Sequence, residues 1–261
     1  MRCSVFLVLK RKSIIVCLSL ALLFVVAVAA LGASGTAAVF FGESTRKVPV
    51  YSVAKAESAE KVIALTFDAA WGADKTQGII DILNEYDADA TFFLVGFWID
   101  KYAEEVKAIA DAGLEIGNHS KNHLNMPRLS EDAIREEITS VNAQIENLTG
   151  IKPTYFRAPY GDYSNRLLDV VEDLGMVGVQ WSIDSLDWKG LSAKEIVDRV
   201  VPKAKSGDIV LFHNNSDHVL DALPLVLMGL KNKGFRFVAL SDMVATKDFT
   251  VDSAGVQHAL E

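Results

Sequence analysis

The stretch TFDAAWG, Thr66–Gly72, directly follows the apolar run VIAL, Val62–Leu65. A short apolar run with turn formers behind it reads as a buried strand. Asp68 then stands at the strand's C-terminal end, where the chain enters a loop. Aspartates at such places are commonly caps or turn formers. Asp68 alone therefore decides little, and the other strand ends must be read with it.

Outward from this run, strand-like and helix-like segments alternate. Asp74 precedes a helical pattern of Ile79, Leu83 and Tyr86. Gln77 lies at capping-box spacing from it, so Asp74 is expected to cap that helix. TFFLVG, Thr91–Gly96, is the next strand. Tyr102, Val106 and Ile109 mark a helix stopping at Gly113, and Ile134, Ile138, Val141, Ile145 and Leu148 mark a longer amphipathic one. Ser192 with Glu195 forms a capping box ahead of Ile196 and Val200. Three junctions repeat the order helix, glycine, strand: DAGLEIGNH, EDLGMVGVQW and KNKGFRFVAL. Gly113, Gly175 and Gly234 sit where a helix ends on a left-handed residue. Repeated units of this kind predict an α/β domain on a parallel sheet, either a barrel or doubly wound. No glycine-rich phosphate loop follows the first core strand, which argues against a nucleotide-binding sheet.

The first 41 residues differ in kind. Arg2, Lys10, Arg11 and Lys12 precede an uncharged run from Ser13 to Phe41. Ile14–Leu31 approaches the ~20 residues needed to span a membrane and exceeds a secretory signal's ~7–15-residue core. With the basic flank cytoplasmic, everything downstream is expected outside the cell membrane, as a single-pass C-terminal domain. The small residues at Ala27–Ala29 leave a cleaved signal peptide, and hence secretion, as the alternative. The exported part holds 22 basic against 34 acidic residues, a formal charge of −12. That speaks against nucleic-acid binding, which wants a basic footprint. Cys3 and Cys17 both fall before it, so it contains neither a disulfide nor a thiolate nucleophile. The expected organisation is a flank and anchor at 1–41, a linker with a first strand (KVPVYSV) at 42–59, the main domain at 60–247, and a loose polar tail at 248–261. Oligomeric state is left open.

In parallel barrels the chemistry gathers at strand C-termini. Here Asp68 ends the first core strand, HSKNH (His119–His123) follows LEIGN, and RAPYG (Arg157–Gly161) follows KPTYF. DSLDW (Asp184–Trp188) follows VGVQWSI, and His213 closes GDIVLFH. Taken singly, each has a plain reading: a turn aspartate, an ion-paired arginine, a tight turn, a core histidine. His119 and His123 are four apart, so on a helical turn their rings would share one face, a metal-binding arrangement. Five coincidences at five strand ends are harder to accept than one site.

The ordered set TFD, HSxxH, RxPYG, DxxDW, LxH resembles the NodB-type polysaccharide deacetylases, a carbohydrate esterase family, over roughly Lys61 to Val244. The altered first motif and the anchor look most like the sporulation-associated subgroup of the PdaB type. The resemblance implies a distorted (β/α)7 barrel and removal of acetyl groups from a cell-wall or spore-cortex glycan such as peptidoglycan. Residue by residue, it implies Asp68 as general base, held ionised by Arg157. His119 and His123 would be ligands of a divalent metal, usually zinc. The Tyr160 backbone N–H would face the oxyanion. His213 would be the general acid, its pKa raised by Asp184 or Asp187. Trp188 and Leu211 would wall the acetyl pocket, with Pro159 and Tyr160 also on the substrate side. The family's usual first motif is TFDDG, and its second aspartate is the third metal ligand. Here that residue is Ala69, which implies a weakened metal site, and a catalytically weak or inactive glycan-binding protein as the alternative.

Overall fold

The structure is a computed structural model that describes residues 46–55 and 59–260. VIALTFDA forms β2, Val62–Ala69, with all eight residues buried. A strand in a parallel sheet is covered on both faces, so its sequence runs continuously apolar rather than alternating. β2 nonetheless has two distinct faces. Ile63, Leu65, Phe67 and Ala69 lie in the apolar layer under the helices, and Phe67 stacks between Phe92 and Phe212 at 4.9 and 5.6 Å. Ala64 faces the inner cluster with Phe93 and Tyr155, while Thr66 and Asp68 on that same face reach Arg157.

Around β2 the strands are β3 (Ala90–Leu94), β4 (Glu115–Asn118), β5 (Tyr155–Phe156), β6 (Val177–Gly178), β7 (Ile183–Asp184), β8 (Ile209–His213) and β9 (Arg236–Phe237). Their order is β6-β5-β4-β3-β2-β8-β7, with β9 paired to the start of β2, and every pairing is parallel. Helices α1 (Thr76–Glu85), α2 (Gly96–Lys101), α3 (Ala103–Asp111), α4 (Glu131–Thr149), α5 (Asn165–Asp173), α6 (Ala193–Val200) and α7 (Val219–Asn232) connect them. The result is a curled parallel half-barrel rather than a closed seven-stranded ring. Between β6 and the start of β8 runs the segment 50–53. Val50 N–H donates to the Gly178 carbonyl at 2.9 Å, Gln180 N–H to the Val50 carbonyl at 2.7 Å, and Val53 N–H to the Gly207 carbonyl at 2.9 Å.

VGVQWSI is therefore not one strand. It splits into β6 and β7 at opposite ends of the sheet, because Gln180 between them is bonded to Val50 and, through its carbonyl, to Arg157. The tail is not loose either. β10 (Phe249–Val251) and β11 (Val256–Ala259) form an antiparallel hairpin, and β11 pairs in parallel with β1 (Ser52–Val53). Asp252 Oδ1 accepts the Ala254 and Val256 N–H groups to close the turn. Buried Gln257 bonds both the N–H and the carbonyl of Ala245, which ties the hairpin down.

Gly113, Gly175 and Gly234 end their helices at φ 76°, 71° and 83°, as their positions require. The Ser192–Glu195 capping box forms. The expected Asp74 cap does not: α1 starts after Lys75 with no side-chain cap, and the Gln77 amide turns forward to Asp81 at 2.8 Å. The anchor expected at 1–41 lies outside the described residues. Among the described residues no helix is long and apolar enough to cross a membrane.

Candidate active site

Asp68 leaves the end of β2 on the inner face, opposite Arg157 just past β5. Arg157 is fully buried. Its Nη1 donates to Asp68 Oδ1 at 2.8 Å and to Thr66 Oγ1 at 2.9 Å, and its Nη2 donates to the Gln180 carbonyl at 3.0 Å. The guanidinium also lies over the rings of Phe93 (4.2 Å) and Trp181 (5.6 Å). A buried charge persists only when paired and hydrogen-bonded, and these contacts supply that. Burial opposes the charge on Asp68, but the Arg157 cation beside it, the hydrogen bond that cation donates and the more distant His213 outweigh it. The carboxyl is held below its ordinary range. Oδ2, the oxygen not bound by arginine, lies 3.4 Å from His119 Nε2.

His119 follows β4. Its Nδ1 donates to the Arg157 carbonyl at 2.8 Å, which leaves the Nε2 lone pair facing the site. Burial pushes its pKa down, so the ring is neutral. HSKNH is not helical. Ser120 and His123 sit at φ 68° and 53°, in a loop fixed by Asn118 Oδ1 on Ser120 N–H, by Glu137 on Asn122, and by Ser120 Oγ on His123 N–H. This loop, not a helical turn, brings the two rings to 5.0 Å. Burial lowers the His123 pKa to about 4. Among the described residues its Nδ1 is buried without a hydrogen-bond partner.

On the facing side, His213 ends β8 and donates Nδ1–H to Asp187 Oδ1 at 2.8 Å. Asp187 is buried and also accepts the backbone N–H groups of His213 and Trp188. Burial works against a charged His213, yet the bond to Asp187 and that carboxylate's field win, with smaller help from Asp68 and Asp184. The ring is held above its ordinary pKa. Of the two candidate aspartates, Asp187 is thus the partner. Asp184 turns back to cap the Leu186 N–H at 2.8 Å, although it still borders the cavity.

These groups open into one cavity of about 610 Å³. Asp68, His119, His123 and His213 border it together with Leu211, Tyr160 and Trp188. Tyr160 is exposed at φ 63°, its ring edge-on to His123 at 4.7 Å. Pro159, expected on the substrate side, is buried and does not line the cavity; it begins the turn that presents Tyr160. Sequence reading missed Trp71 and Trp181, which line the cavity, and Thr66, which bonds Arg157. Trp71 carried a visible signal, a bulky aromatic just past the Asp68 strand end.

The donor set fits a divalent cation in part. His119 offers a fixed, neutral Nε2, and His123 carries a buried nitrogen with no partner, so two imidazoles are available. The third position is not. Ala69 is fully buried in the apolar layer under the helices, and no group of three metal-ligating side chains exists among the described residues. A catalytic zinc site normally has three protein ligands and an open position.

Comparison with known proteins agrees with this geometry. Residues 55–179 match the family described as Polysaccharide deacetylase. A peptidoglycan-N-acetylglucosamine deacetylase of Bacillus cereus is 37% identical over 188 residues, covering 70% of this chain and 68% of its own. The structure of a CE4 family pseudoenzyme from Bacillus anthracis is similar at TM-score 0.72 and 32% identity, over 77% of this chain and 70% of that one. A mutant of that pseudoenzyme with restored enzymatic activity is similar at TM-score 0.71 and 34% identity, over 77% and 72%. With a relative this close over two thirds of its length, the motifs at five strand ends have a common origin, and the chain belongs to the polysaccharide deacetylase family of hydrolases.

Proposed function

We propose that this chain hydrolyses N-acetyl groups on a peptidoglycan-type cell-wall glycan, with a divalent metal, zinc by preference, held weakly by His119 and His123. The observation that carries the reading is the placement of two opposed ion pairs, Asp68–Arg157 and Asp187–His213, on one cavity. A non-catalytic surface has no use for a carboxylate kept ionised facing an imidazole kept protonated. Asp68, with one oxygen bound to Arg157, takes the proton of the attacking water through the other. His213, its Nδ1 fixed on Asp187, presents Nε2–H to the leaving nitrogen, which departs poorly unless protonated. The Tyr160 N–H is the backbone donor assigned to the oxyanion. When bound, the metal polarises the acetyl carbonyl and acidifies water. The test is acetate release from acetylated glycans by the residue 46–261 domain, with and without added divalent metals. Release above the uncatalysed rate supports the reading; none on any substrate overturns it.

Ala69 favours the second reading, a glycan-binding protein without turnover, and similarity to a CE4 family pseudoenzyme adds weight to it. Metal binding is expected under both. Zinc titrated into the domain by calorimetry should bind, more weakly than a three-ligand site, and a His119→Ala, His123→Ala double variant should lose it. Unchanged binding in the double variant removes these histidines as ligands.

We also propose that the domain faces outward from a membrane through residues 14–31, in a sporulating cell by likeness to the PdaB-type subgroup. Support for the anchor is the uncharged run behind four basic residues. Fractionation with external protease should leave the full-length chain in the membrane with its C-terminal domain digestible. A mature soluble protein starting near Ala30 would show a cleaved signal instead.

A further inference from the structure

Residues 42–261 hold 22 basic against 34 acidic residues, a formal charge of −12, yet one end of the domain is basic. Lys55, Lys61, Lys203, Lys205 and Lys233 are all exposed. Lys61 directly precedes β2, Lys203 and Lys205 lie between α6 and β8, and Lys233 lies between α7 and β9. These four stand where parallel strands begin, at the end of the sheet away from Asp68 and His213. Contacts join the group. Lys61 Nζ donates to the Lys233 carbonyl at 3.3 Å, Lys233 Nζ to the Val201 carbonyl at 2.7 Å, and Gly207 N–H to the Val62 carbonyl at 2.8 Å. Lys55 Cγ lies 3.3 Å from where a side chain at Gly207 would begin. Among the described residues none of the five is in an ion pair, whereas Lys47, Lys107, Lys121 and Lys194 elsewhere are. The neighbouring carboxylates are turned aside: Glu60 pairs with Arg236 at 2.9 Å, and Asp208 accepts the Lys205 N–H and the Ser182 hydroxyl. Helix C-termini attract lysines, but Lys55 and Lys61 belong to no helix.

The outward face of α7 leads into this patch. Leu225 and Met228 lie three positions apart on it, 42% and 48% exposed, and the helix ends at Asn232, next to Lys233. Gly229 lies against Val201, so the same face borders the end of α6 and the loop with Lys203. Apolar side chains beside lysines on one surface suit the headgroup layer of an anionic bilayer. Carboxylates elsewhere on the domain oppose such a contact little. The Debye length is about 8 Å at physiological ionic strength, while β2 alone separates Lys61 from Asp68 by about 20 Å. A bilayer is also within reach. Only 14 residues, 32–45, separate the run Ile14–Leu31, read above as an anchor, from Arg46. That length of chain extends to at most about 50 Å. A tether this short makes even a weak surface contact intramolecular.

We propose that these lysines, with Leu225 and Met228, form a face that rests on the anionic surface of the bilayer holding the chain, so that the cavity at the opposite strand ends opens away from the membrane. The orientation rests on the anchor reading; the face itself binds lipid without it. Residues 46–261, a unit with its own core, are sedimented with phosphatidylcholine vesicles with and without phosphatidylglycerol. Binding is expected only with phosphatidylglycerol, and is lost at about 1 M salt, where the Debye length is ~3 Å. A Lys55→Gln, Lys203→Gln, Lys205→Gln variant should bind about tenfold more weakly. These side chains make no hydrogen bond among the described residues, so the melting temperature should not change. A Leu225→Ser, Met228→Ser variant should also bind more weakly, and a Lys107→Gln, Lys121→Gln variant as wild type does. A wild-type domain that binds no vesicles, or equal binding by the triple lysine variant, overturns the face. Binding to soluble polyphosphate but not to vesicles overturns it too, and assigns the lysines to an anionic wall polymer. Orientation is read on the full chain in the same vesicles, with Cys3→Ser and Cys17→Ser and one fluorophore at Met228→Cys or at Lys189→Cys beside the cavity. Spin-labelled lipid should quench the first and spare the second; equal or reversed quenching overturns the orientation. A full chain that stays out of the vesicles while the 46–261 domain binds them upholds the face and overturns the anchor.

Discussion

Asp68→Asn and His213→Ala each lower acetate release by about 10²–10⁴-fold, the span that general acid–base groups contribute. Base and acid act on different protons of one reaction, so neither covers for the other. Folding must be checked separately, because Asp68 sits in a buried pair and His213 in a partly buried one. Asp68→Asn leaves the Arg157 cation without its carboxylate, and breaking a buried pair typically costs about 3–5 kcal/mol. Arg157 keeps Thr66 Oγ1, the Gln180 carbonyl and the Phe93 and Trp181 rings, which retain part of that. His213→Ala leaves Asp187 with two backbone N–H donors. Circular dichroism and melting should therefore show folded domains of reduced stability. Near wild-type release in both folded variants would overturn the assigned roles.

The pair His213–Asp187 also sets a pH limb. His213 must be protonated to act, so activity is present below its pKa and lost as pH rises through it. Asp187 holds that pKa above the ordinary histidine value. Asp187→Asn removes the charge, the pKa falls, and the alkaline limb of kcat moves to lower pH. An unmoved limb would mean that another group is the acid.

Much of this site was legible because its parts lie at strand ends, and strand ends follow from local patterns. The apolar run before Asp68 and the glycine junctions before β4, β6 and β9 needed no tertiary knowledge. What failed depended on partners distant in the chain. VGVQWSI looks continuous, yet Gln180 is claimed by Val50 and Arg157, 130 and 23 positions away, and the strand breaks there. The tail looked unpatterned because its hairpin is short and its buried member is a polar Gln257, satisfied only by Ala245. Asp74 had capping-box spacing, but the helix begins one residue later than that reading needs. His119 and His123 do converge as their spacing suggested, by a loop with two left-handed residues rather than by a helix.

Ala69→Asp is expected to make folding depend on zinc. Ala69 is the last residue of β2, fully buried, and lies in the apolar layer with Leu94, its partner in β3. Without metal, a carboxylate there has two poor options. Turned under the helices it is a buried unpaired charge, a loss of about 3 kcal/mol or more. Turned toward the histidines it faces Asp68, and two neighbouring carboxylates resist ionising together. A divalent cation resolves the second case, since it adds opposite charge and gives the new side chain a third-ligand role beside His119 and His123. Ligand that binds only the native state stabilises it by about 2.7 kcal/mol at a hundredfold excess over Kd. That is close to the loss, so saturating zinc should return the variant's melting temperature toward wild type. Wild type, with two imidazoles, should respond much less. Zinc affinity and acetate release measured on the same variant then separate the readings. Tighter zinc with more acetate would place the deficit in the third ligand alone. Tighter zinc with no acetate would mean that more than this ligand has been lost. A destabilised variant that zinc does not rescue would show the carboxylate trapped in the apolar layer, and the match to the family's second aspartate would fail at Ala69.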